Sequence, residues 1–188
     1  FTALSTSHIY TATARKDDSI VIAGYNGRYQ TVKPDNSLSS VNQWGHSTNQ
    51  IRTSLLLPNG NVLLAGDGGC IQILTSSDTL STTRTWSHGS YPITSSHLLD
   101  NGQVIIAGGY GTYQLLDQDL NLGSHSQWPN GTSSSYYIYG IDSLSNDSVI
   151  MGGYSGYVYL TPTLSLKYIS SVATSTSITL NWAGMNES

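Results

Sequence analysis

Five histidines, one cysteine and eleven acidic residues are the side chains of this 188-residue chain that could bind a metal or transfer a proton. His46 and His88 each follow a tryptophan by two residues and lie 42 residues apart, which predicts equivalent places in two repeats. Two such residues do not complete a zinc site, which takes four ligands in structural sites and at least three protein ligands in catalytic ones. No metal site is therefore predicted, and the remaining histidines stand alone in the sequence: His8, His97 and His125.

The acidic residues are explained by turn chemistry. An aspartate side chain accepts hydrogen bonds from the backbone two residues on and so favours turns. The sequence contains no Gly-x-Ser-x-Gly elbow, no phosphate-binding loop and no His-Glu-x-x-His motif. We therefore predict no catalytic residue, no cofactor and no enzymatic activity. The turn aspartates are Asp17, Asp18, Asp35, Asp78, Asp100 and Asp147.

Three tyrosines occur in Gly-x-x-Gly segments, at Tyr25, Tyr110 and Tyr154, and Asp67 takes this place in the second unit. Tyrosine offers a flat apolar ring with a hydroxyl group at a low cost in conformational entropy, which suits contact with a glycan or a protein. These four residues are the candidate ligand-binding positions. The alternative is that they are ordinary exposed turn residues.

Three tryptophans recur 42 residues apart, at Trp44, Trp86 and Trp128. They could form equivalent platforms on which sugars stack. We favour a packing role, because structural repeats reuse the same packing solution from unit to unit.

The positions of the chemical candidates depend on a segment that the chain repeats four times. Each copy is a short apolar run ending in glycine, and the final glycines lie 42, 42 and 45 residues apart. A period near 40 residues is typical of radial or stacked β architectures. The runs are continuous rather than alternating, which favours a strand covered on both faces. The final glycines are Gly24, Gly66, Gly108 and Gly153.

Each unit divides into four predicted strands. The first has alternating character and leads through a tight turn into the apolar second strand. Asn-Gly in such turns predicts a type I′ hairpin with positive φ at both central residues. A Gly-x-x-Gly corner and a third strand follow, and a fourth strand ends at the tryptophan in the first three units. The turns are Asp17-Asp18, Asn59-Gly60, Asn101-Gly102 and Asn146-Asp147.

The predicted fold is all-β, a β-propeller-like array of four four-stranded repeats of about 42 residues in a single domain, 1–188. Essentially no helix is expected. The repeats run approximately over 8–48, 49–90, 91–135 and 136–176. Extra strands are predicted at 1–6 and 177–182. Three explanations for them remain open: a longer repeat array, closure as four blades with surplus strands on the rim, or strands shared between subunits.

The corner and tryptophan pattern resembles the kelch family of propellers. The segment from Gly108-Gly109 to Trp128 matches its pattern of a glycine pair followed by a tryptophan, and 56–66 is similar to a blade of the galactose-oxidase-like branch. The short units are also similar to tachylectin-like propellers. The resemblance implies the fold alone, because the copper and catalytic residues of galactose oxidase have no matching motif. The units are shorter than kelch blades, and the fourth has no tryptophan.

Composition narrows the partners and the location. Only 10% of residues are charged and the net charge is −4, so no nucleic acid partner is expected. The longest apolar runs, about five residues, are far shorter than the ~20 needed to span a bilayer, so no membrane insertion is expected. Polar Ser, Thr, Asn and Tyr residues must provide solubility, which favours an extracellular or cell-surface location.

Cys70 has no partner for a disulfide and is expected to be a packed thiol. The start at Phe1 suggests a processed mature chain or a fragment. Possible N-glycosylation sites are Asn130, Asn146 and Asn186.

Two functions follow from these patterns. The first is a non-enzymatic extracellular interaction module that binds glycans or a cell surface in a lectin-like manner through loops at the blade edges. The alternative is a self-assembling structural subunit of a surface filament or coat, in which copies share terminal strands.

Overall fold

The computed structural model describes residues 8–117, 119–128, 136–144 and 148–154, together with strands at 158–161, 167–169, 171–174 and 177–180. The described chain is all-β, as predicted, and its helical residues are those of two single 3-10 turns at Tyr25–Gly27 and Asp67–Gly69, together with Tyr154. It contains four antiparallel four-stranded sheets and one two-stranded sheet. We call the four larger sheets blades 1 to 4.

The strands of each blade follow one another in chain order. Blade 1 contains β1 (Ile9–Ala14), β2 (Ile20–Gly24), β3 (Arg28–Val32) and β4 (Asn42–Gln43). Blade 2 contains β5 (Ile51–Leu56), β6 (Val62–Gly66), β7 (Cys70–Leu74) and β8 (Arg84–Thr85). Blade 3 contains β9 (Ile93–Leu98), β10 (Val104–Gly108), β11 (Thr112–Leu116) and β12 (Leu122–Gln127). Blade 4 contains β13 (Ile138–Ser143), β14 (Val149–Gly153), β15 (Val158–Thr161) and β16 (Lys167–Ile169).

A short hairpin follows blade 4. It pairs β17 (Ser171–Thr174) with β18 (Ser177–Leu180) as a separate two-stranded sheet. The sequence predicts a surplus strand at 177–182 but does not predict β17, because the four residues of β17 carry no alternation strong enough to mark them. The predicted strand at 1–6 and residues 181–182 lie outside the described residues.

The hairpin turns are not type I′, which corrects the prediction from Asn-Gly. In the turn of blade 2, the Gly60 N–H donates to the Leu57 carbonyl and the Leu57 N–H donates to the Asn61 carbonyl, so the loop has three residues. The Asn59 carboxamide oxygen accepts the Asn61 N–H, and this local bond favours a β-turn followed by one left-handed residue. The fourth turn lies outside the described residues. Positive φ occurs only at the second residue of each described turn: Asp18, Gly60 and Gly102.

The hydrophobic core lies between blades rather than within them. One cluster joins Val21 and Trp44 of blade 1 to Ile51 and Leu64 of blade 2. Equivalent clusters join blade 2 to blade 3 and blade 3 to blade 4. The first strands of neighbouring blades lie side by side and are linked by side-chain hydrogen bonds, such as Thr53 to Ser96 at 2.8 Å. Each second strand is therefore covered on both faces where its blade lies between two other blades.

The Gly-x-x-Gly corners and the tryptophans share one period because they touch. The backbone N–H of Trp86 donates to the Gly69 carbonyl at 3.0 Å, and Gly69 has a φ of 67°. A Cβ at Gly69 would collide with the Trp86 indole, whereas one at Gly66 would collide with the Gln50 backbone. The structure buries all three tryptophans, so they serve packing and offer no exposed platform for a sugar.

Cys70 occupies the start of β7 as a buried thiol. The Asn49 side-chain amide donates to its Sγ at 3.3 Å. Burial raises the pKa of the Cys70 thiol, which keeps the sulfur protonated and poorly nucleophilic at neutral pH. The expectation of a packed thiol is confirmed.

A buried arginine joins blades 1 and 2 at the end where the hairpin turns lie. The Arg15 Nη1 donates to the Asp78 carboxylate at 2.8 Å, and its Nη2 donates to the Thr75 carbonyl at 3.1 Å. The Arg15 side chain is only 4% exposed. Leucine occupies the equivalent position in blades 2 and 3, at Leu57 and Leu99, where the same turn hydrogen bond forms. The site therefore tolerates either a paired cation or an apolar side chain.

We predict that Asp78→Ala lowers the free energy of unfolding by about 1.5–3 kcal/mol, because it leaves a buried guanidinium without its carboxylate partner. Arg15→Leu should cost less than Asp78→Ala, since it restores the residue that the other blades carry. Urea denaturation followed by fluorescence measures both. Equal losses for the two variants would contradict the assigned role of the ion pair.

Candidate functional site

A β-bulge interrupts the first strand of every blade at the same point. In blade 1, Ile9 pairs with Gly24 and Thr11 pairs with Ala23, so the residue between them is skipped. Bulges redirect a side chain and are frequent near binding sites. Because the partner of the preceding residue is the first corner glycine, each bulge lies next to a Gly-x-x-Gly corner. The skipped residues are Tyr10, Arg52, Thr94 and Tyr139.

An ion pair connects one bulge to one corner. The Arg52 guanidinium donates through Nε and Nη2 to the two carboxylate oxygens of Asp67, and its Cζ lies 5.9 Å from the centroid of the Tyr10 ring. The hydrogen bond that Arg52 donates to Asp67 raises the pKa of Arg52, burial acts in the opposite direction, and nearby Tyr10 and Tyr137 raise the pKa further. Both partners are only partly exposed. Asp67 is therefore already engaged inside the protein, which its position in the sequence did not reveal.

Two aromatic residues near this ion pair, Tyr10 and Tyr137, belong to larger groups of rings. The His8 ring stacks on Tyr10 with 6.3 Å between centroids and meets the edge of Tyr25 at 6.0 Å. On blade 4, Tyr137 stacks on Tyr139 at 5.7 Å. Tyr10, Tyr25, Tyr139 and Tyr154 are all exposed. We define the corner patch as the residues His8, Tyr10, Tyr25, Arg52, Asp67, Tyr137, Tyr139 and Tyr154.

Tyr110 differs from the other corner tyrosines. It occupies the second position after the first corner glycine, with Asn26 and Gly68, whereas Tyr25 and Asp67 occupy the first. Its φ of 59° is uncommon for a bulky residue and indicates local strain. Its ring stacks on Tyr91 with 4.0 Å between centroids. The sequence placed Tyr110 correctly in a corner but could not show that its ring already packs on a neighbour.

The repeated histidines connect blades. His46 Nε2 lies 3.1 Å from the Ile71 carbonyl and His88 Nε2 lies 3.3 Å from the Tyr113 carbonyl, and each ring packs against its tryptophan. His88 also meets the His125 ring at 4.7 Å. Within the described part of the chain, no three His, Cys, Asp or Glu residues come together as metal ligands.

One group of catalytic residue types escaped the sequence analysis. His97 Nε2 lies 2.9 Å from Ser143 Oγ and 3.8 Å from Asp142 Oδ1, across the boundary between blades 3 and 4. A catalytic triad needs the serine and the carboxylate on opposite ring nitrogens, so that the carboxylate orients the base. Here both approach the same nitrogen. No local sequence signal could have found the group, because its members belong to different blades.

The opposite face, where the hairpin turns lie, has a groove between blades 2 and 3. The groove has a volume of about 540 Å³ and is lined by Pro58, Asn59, Asp100, Asn101 and Asp119 among others. It lacks the exposed aromatic rings of the corner patch. The possible glycosylation sites Asn130, Asn146 and Asn186 lie outside the described residues.

No family model and no curated protein matches this sequence. Its fold is similar to that of a catalytically inactive virginiamycin B lyase from Staphylococcus aureus with quinupristin (TM-score 0.72, 12% identity, 93% of this chain and 55% of that one). It is also similar to a streptogramin B lyase (TM-score 0.74, 10% identity, 86% and 54%). A third similar structure is the WD40 β-propeller domain of Doa1 (TM-score 0.68, 14% identity, 82% and 51%).

These similarities show a propeller fold and nothing finer. They support neither the kelch nor the tachylectin resemblance in particular, and they include a lyase as well as a WD40 domain, so the fold leaves catalysis undecided. The chain spans about half the length of the solved structures it matches. Among the described residues, no helix has the length and apolar character needed to cross a membrane.

We predict that the protein loses stability in mild acid through His88. Burial lowers the pKa of His88 and the neighbouring His125 lowers it further, although the hydrogen bond with the Tyr113 carbonyl acts in the opposite direction. The unfolded chain then binds the proton more readily than the folded protein. The free energy of unfolding should therefore fall as the pH drops below 6.5, the usual pKa of histidine, and level off below the lowered pKa of the folded protein.

Denaturation of the wild type and of His88→Gln across this pH range measures the effect. The variant should lose less stability on acidification than the wild type. Identical pH profiles would show that His88 is not the group responsible.

Proposed function

We propose that this protein is a non-enzymatic extracellular binding module, lectin-like, which takes a glycan or a cell-surface ligand at the corner patch. The observation that supports the proposal most is the set of exposed tyrosine rings at the bulges and corners, the same backbone positions that carry the Arg52–Asp67 ion pair. A sugar ring has an apolar face of C–H groups and a rim of hydroxyl groups. Tyrosine rings can stack on the apolar face, and charged groups can form hydrogen bonds with the hydroxyl groups.

The corner patch is preorganised for binding. Tyr10 is held between the His8 ring and the Arg52 guanidinium, and Tyr139 is held by Tyr137. Side chains that are already fixed lose less entropy when a ligand arrives. Because the bulged residues differ from blade to blade, the array offers one composite site rather than four identical ones.

The arrangement of His97 supports a binding function without catalysis. Ser143 and Asp142 approach the same ring nitrogen, so neither an oriented base nor an activated nucleophile results. The extracellular location is supported by the low content of charge and the reliance on polar uncharged residues.

We predict that the labelled protein binds members of a broad glycan array, and that Tyr139→Ala and Tyr25→Ala each weaken a hit about 2- to 10-fold, the value of one aromatic contact. Arg52→Lys should weaken it as well, because lysine cannot make the bidentate bond to Asp67. Titration calorimetry with the best glycan gives the affinities.

Leu144→Ala provides the matched control. Leu144 is exposed but follows β13 at the turn end of blade 4, away from the corner patch. It should leave the affinity unchanged. An array without hits, or hits that are indifferent to all three patch variants, would refute the proposal.

A second candidate function is self-assembly into a filament or coat through shared terminal strands. It is favoured by the β17–β18 hairpin, which forms a two-stranded sheet of its own. Two strands are marginal as an independent sheet, so added strands from another copy would stabilise it.

Deletion of residues 177–188, which removes β18, should abolish assembly if this second function holds. Deletion of 183–188 alone keeps β18 and should leave assembly intact. Light scattering reports the mass, and circular dichroism verifies that the blades remain folded. Normal assembly of the longer truncation would eliminate strand sharing.

A further inference from the structure

The groove between blades 2 and 3 has a counterpart between blades 1 and 2, and two cations of the chain itself cross that counterpart. Lys16 of blade 1 reaches over the boundary, and its Nζ donates to the Pro58 carbonyl of blade 2 at 2.9 Å. Beside it, Arg15 donates to the Thr75 carbonyl and to the Asp78 carboxylate of the same blade. The turn end of blade 2 is therefore a place where cationic side chains bind.

The repeat register transfers this arrangement to the next boundary. The first strands of blades 1, 2 and 3 end at equivalent pairs, so Pro58 stands in blade 2 where Lys16 stands in blade 1, and Asp100 stands there in blade 3. A proline side chain is short, carries no charge and leaves no N–H to donate. The Asp100 carbonyl thus receives no lysine from the preceding blade, and the groove lies between Pro58 and Asp100.

The groove combines an apolar floor with an acidic rim. Leu57 and Val104 line it and are buried, and Leu120 lines it and is partly buried. Asp100 and Asp119 line it and are exposed. A lysine side chain has the same two parts, an apolar stem and a terminal ammonium group, and it can bury the stem while the charge stays at the surface. The lining therefore matches the chemistry of lysine.

The two rim carboxylates face an incoming cation without an internal competitor. Among the described residues, neither of them forms an ion pair. The neighbouring Asp117 differs, because its oxygens accept hydrogen bonds from Asn121 and from the Asp119 N–H. Arg84 lies close by, since it donates to the Leu120 carbonyl at 2.9 Å. One arginine beside three aspartates leaves this end of blade 3 with a net negative charge.

No undescribed segment of the chain can supply the missing cation. The sequence has seven lysine and arginine residues, and none of them lies in a segment outside the described residues. Lys167 belongs to the edge strand β16 of blade 4, whereas the groove lies between blades 2 and 3. An occupant of the groove therefore has to bring its own cation.

We propose that the groove between blades 2 and 3 is a docking site for a lysine side chain of a partner protein. The stem of this lysine packs on Leu57 and Leu120, and its ammonium group binds the carboxylates of Asp100 and Asp119. It takes the place that Lys16 has at the preceding boundary. The groove lies on the face opposite the corner patch, so the proposal does not rest on glycan binding.

The test uses the isotope-labelled full chain and Nα-acetyl-lysine N-methylamide as the probe. Titration followed by NMR should shift the backbone amide signals of Asn59, Asp100 and Gly102 until they saturate. Added salt should weaken the binding, because it screens exposed charges. The norleucine amide has the same stem without the ammonium group and should bind about tenfold more weakly.

Three variants and one control define the site. Asp100→Asn and Asp119→Asn remove a rim charge at nearly constant size, so each should raise the dissociation constant about 2- to 5-fold. Pro58→Lys supplies the residue that blade 1 carries at this position, so its side chain should occupy the groove and abolish binding of the probe. Asp35→Asn makes the matched change at the blade 1 equivalent of Asp119 and should leave the affinity unchanged. Circular dichroism verifies that each variant is folded.

Amide signals that do not saturate, or equal binding of the lysine and norleucine amides, would overturn the proposal. Binding that survives the combined Asp100→Asn and Asp119→Asn changes, or that Pro58→Lys leaves intact, would overturn it as well. Calcium chloride is titrated separately, and calcium that shifts the same signals at a lower concentration than the lysine amide would assign the groove to a metal ion instead. None of these results bears on the glycan measurements, which use different variants and a different probe.

Discussion

No blade of this protein can bury its own surfaces, and the rest of the structure depends on that constraint. The second strands are apolar on both faces, and each hydrophobic cluster combines residues of two neighbouring blades. Burying one large aliphatic side chain contributes about 1.5–3 kcal/mol, so the boundary between blades carries most of the stability. Stability in such an array is a sum of contacts between neighbours. The buried tryptophan, the corner glycine against it and the histidine that reaches the next blade all serve this boundary.

Much of the fold could be predicted because its causes are local. The continuous run Ile20–Ala23 marks a strand covered on both faces, and the recurring Gly66 and Gly69 mark backbone that leaves no room for a side chain. The turn at Asn59-Gly60 was predicted wrongly, since the side chain of Asn59 bonds to Asn61 and thereby selects another turn. The hairpin partner β17 was missed because four small residues leave no pattern.

The candidate site was predictable only in part. Exposure of Tyr25 and Tyr154 follows from their place in a corner. The bulges at Tyr10 and Arg52 could not be foreseen, because a skipped residue leaves an otherwise regular strand pattern intact. The role of Asp67 depends on Arg52 across a strand pair, a contact that spacing alone does not specify. Function in this array would thus arise where equivalent backbone positions carry different side chains.

Gln114 accepts the Ser87 N–H across the boundary between blades 2 and 3, whereas the equivalent positions at the boundary between blades 3 and 4 are Tyr159 and Pro129, and this difference limits how such an array can grow. A duplicated copy of blade 2 inserted beside the original would bring both an acceptor, Gln72, and a donor, Ser87, so it would fit its neighbours at once. A copy of blade 3 inserted after itself would set Gln114 against Pro129 and leave a buried oxygen unsatisfied. Duplication of blade 2 is therefore compatible with this contact and duplication of blade 3 is not, so only some blades could be copied in tandem without leaving a buried acceptor unpaired.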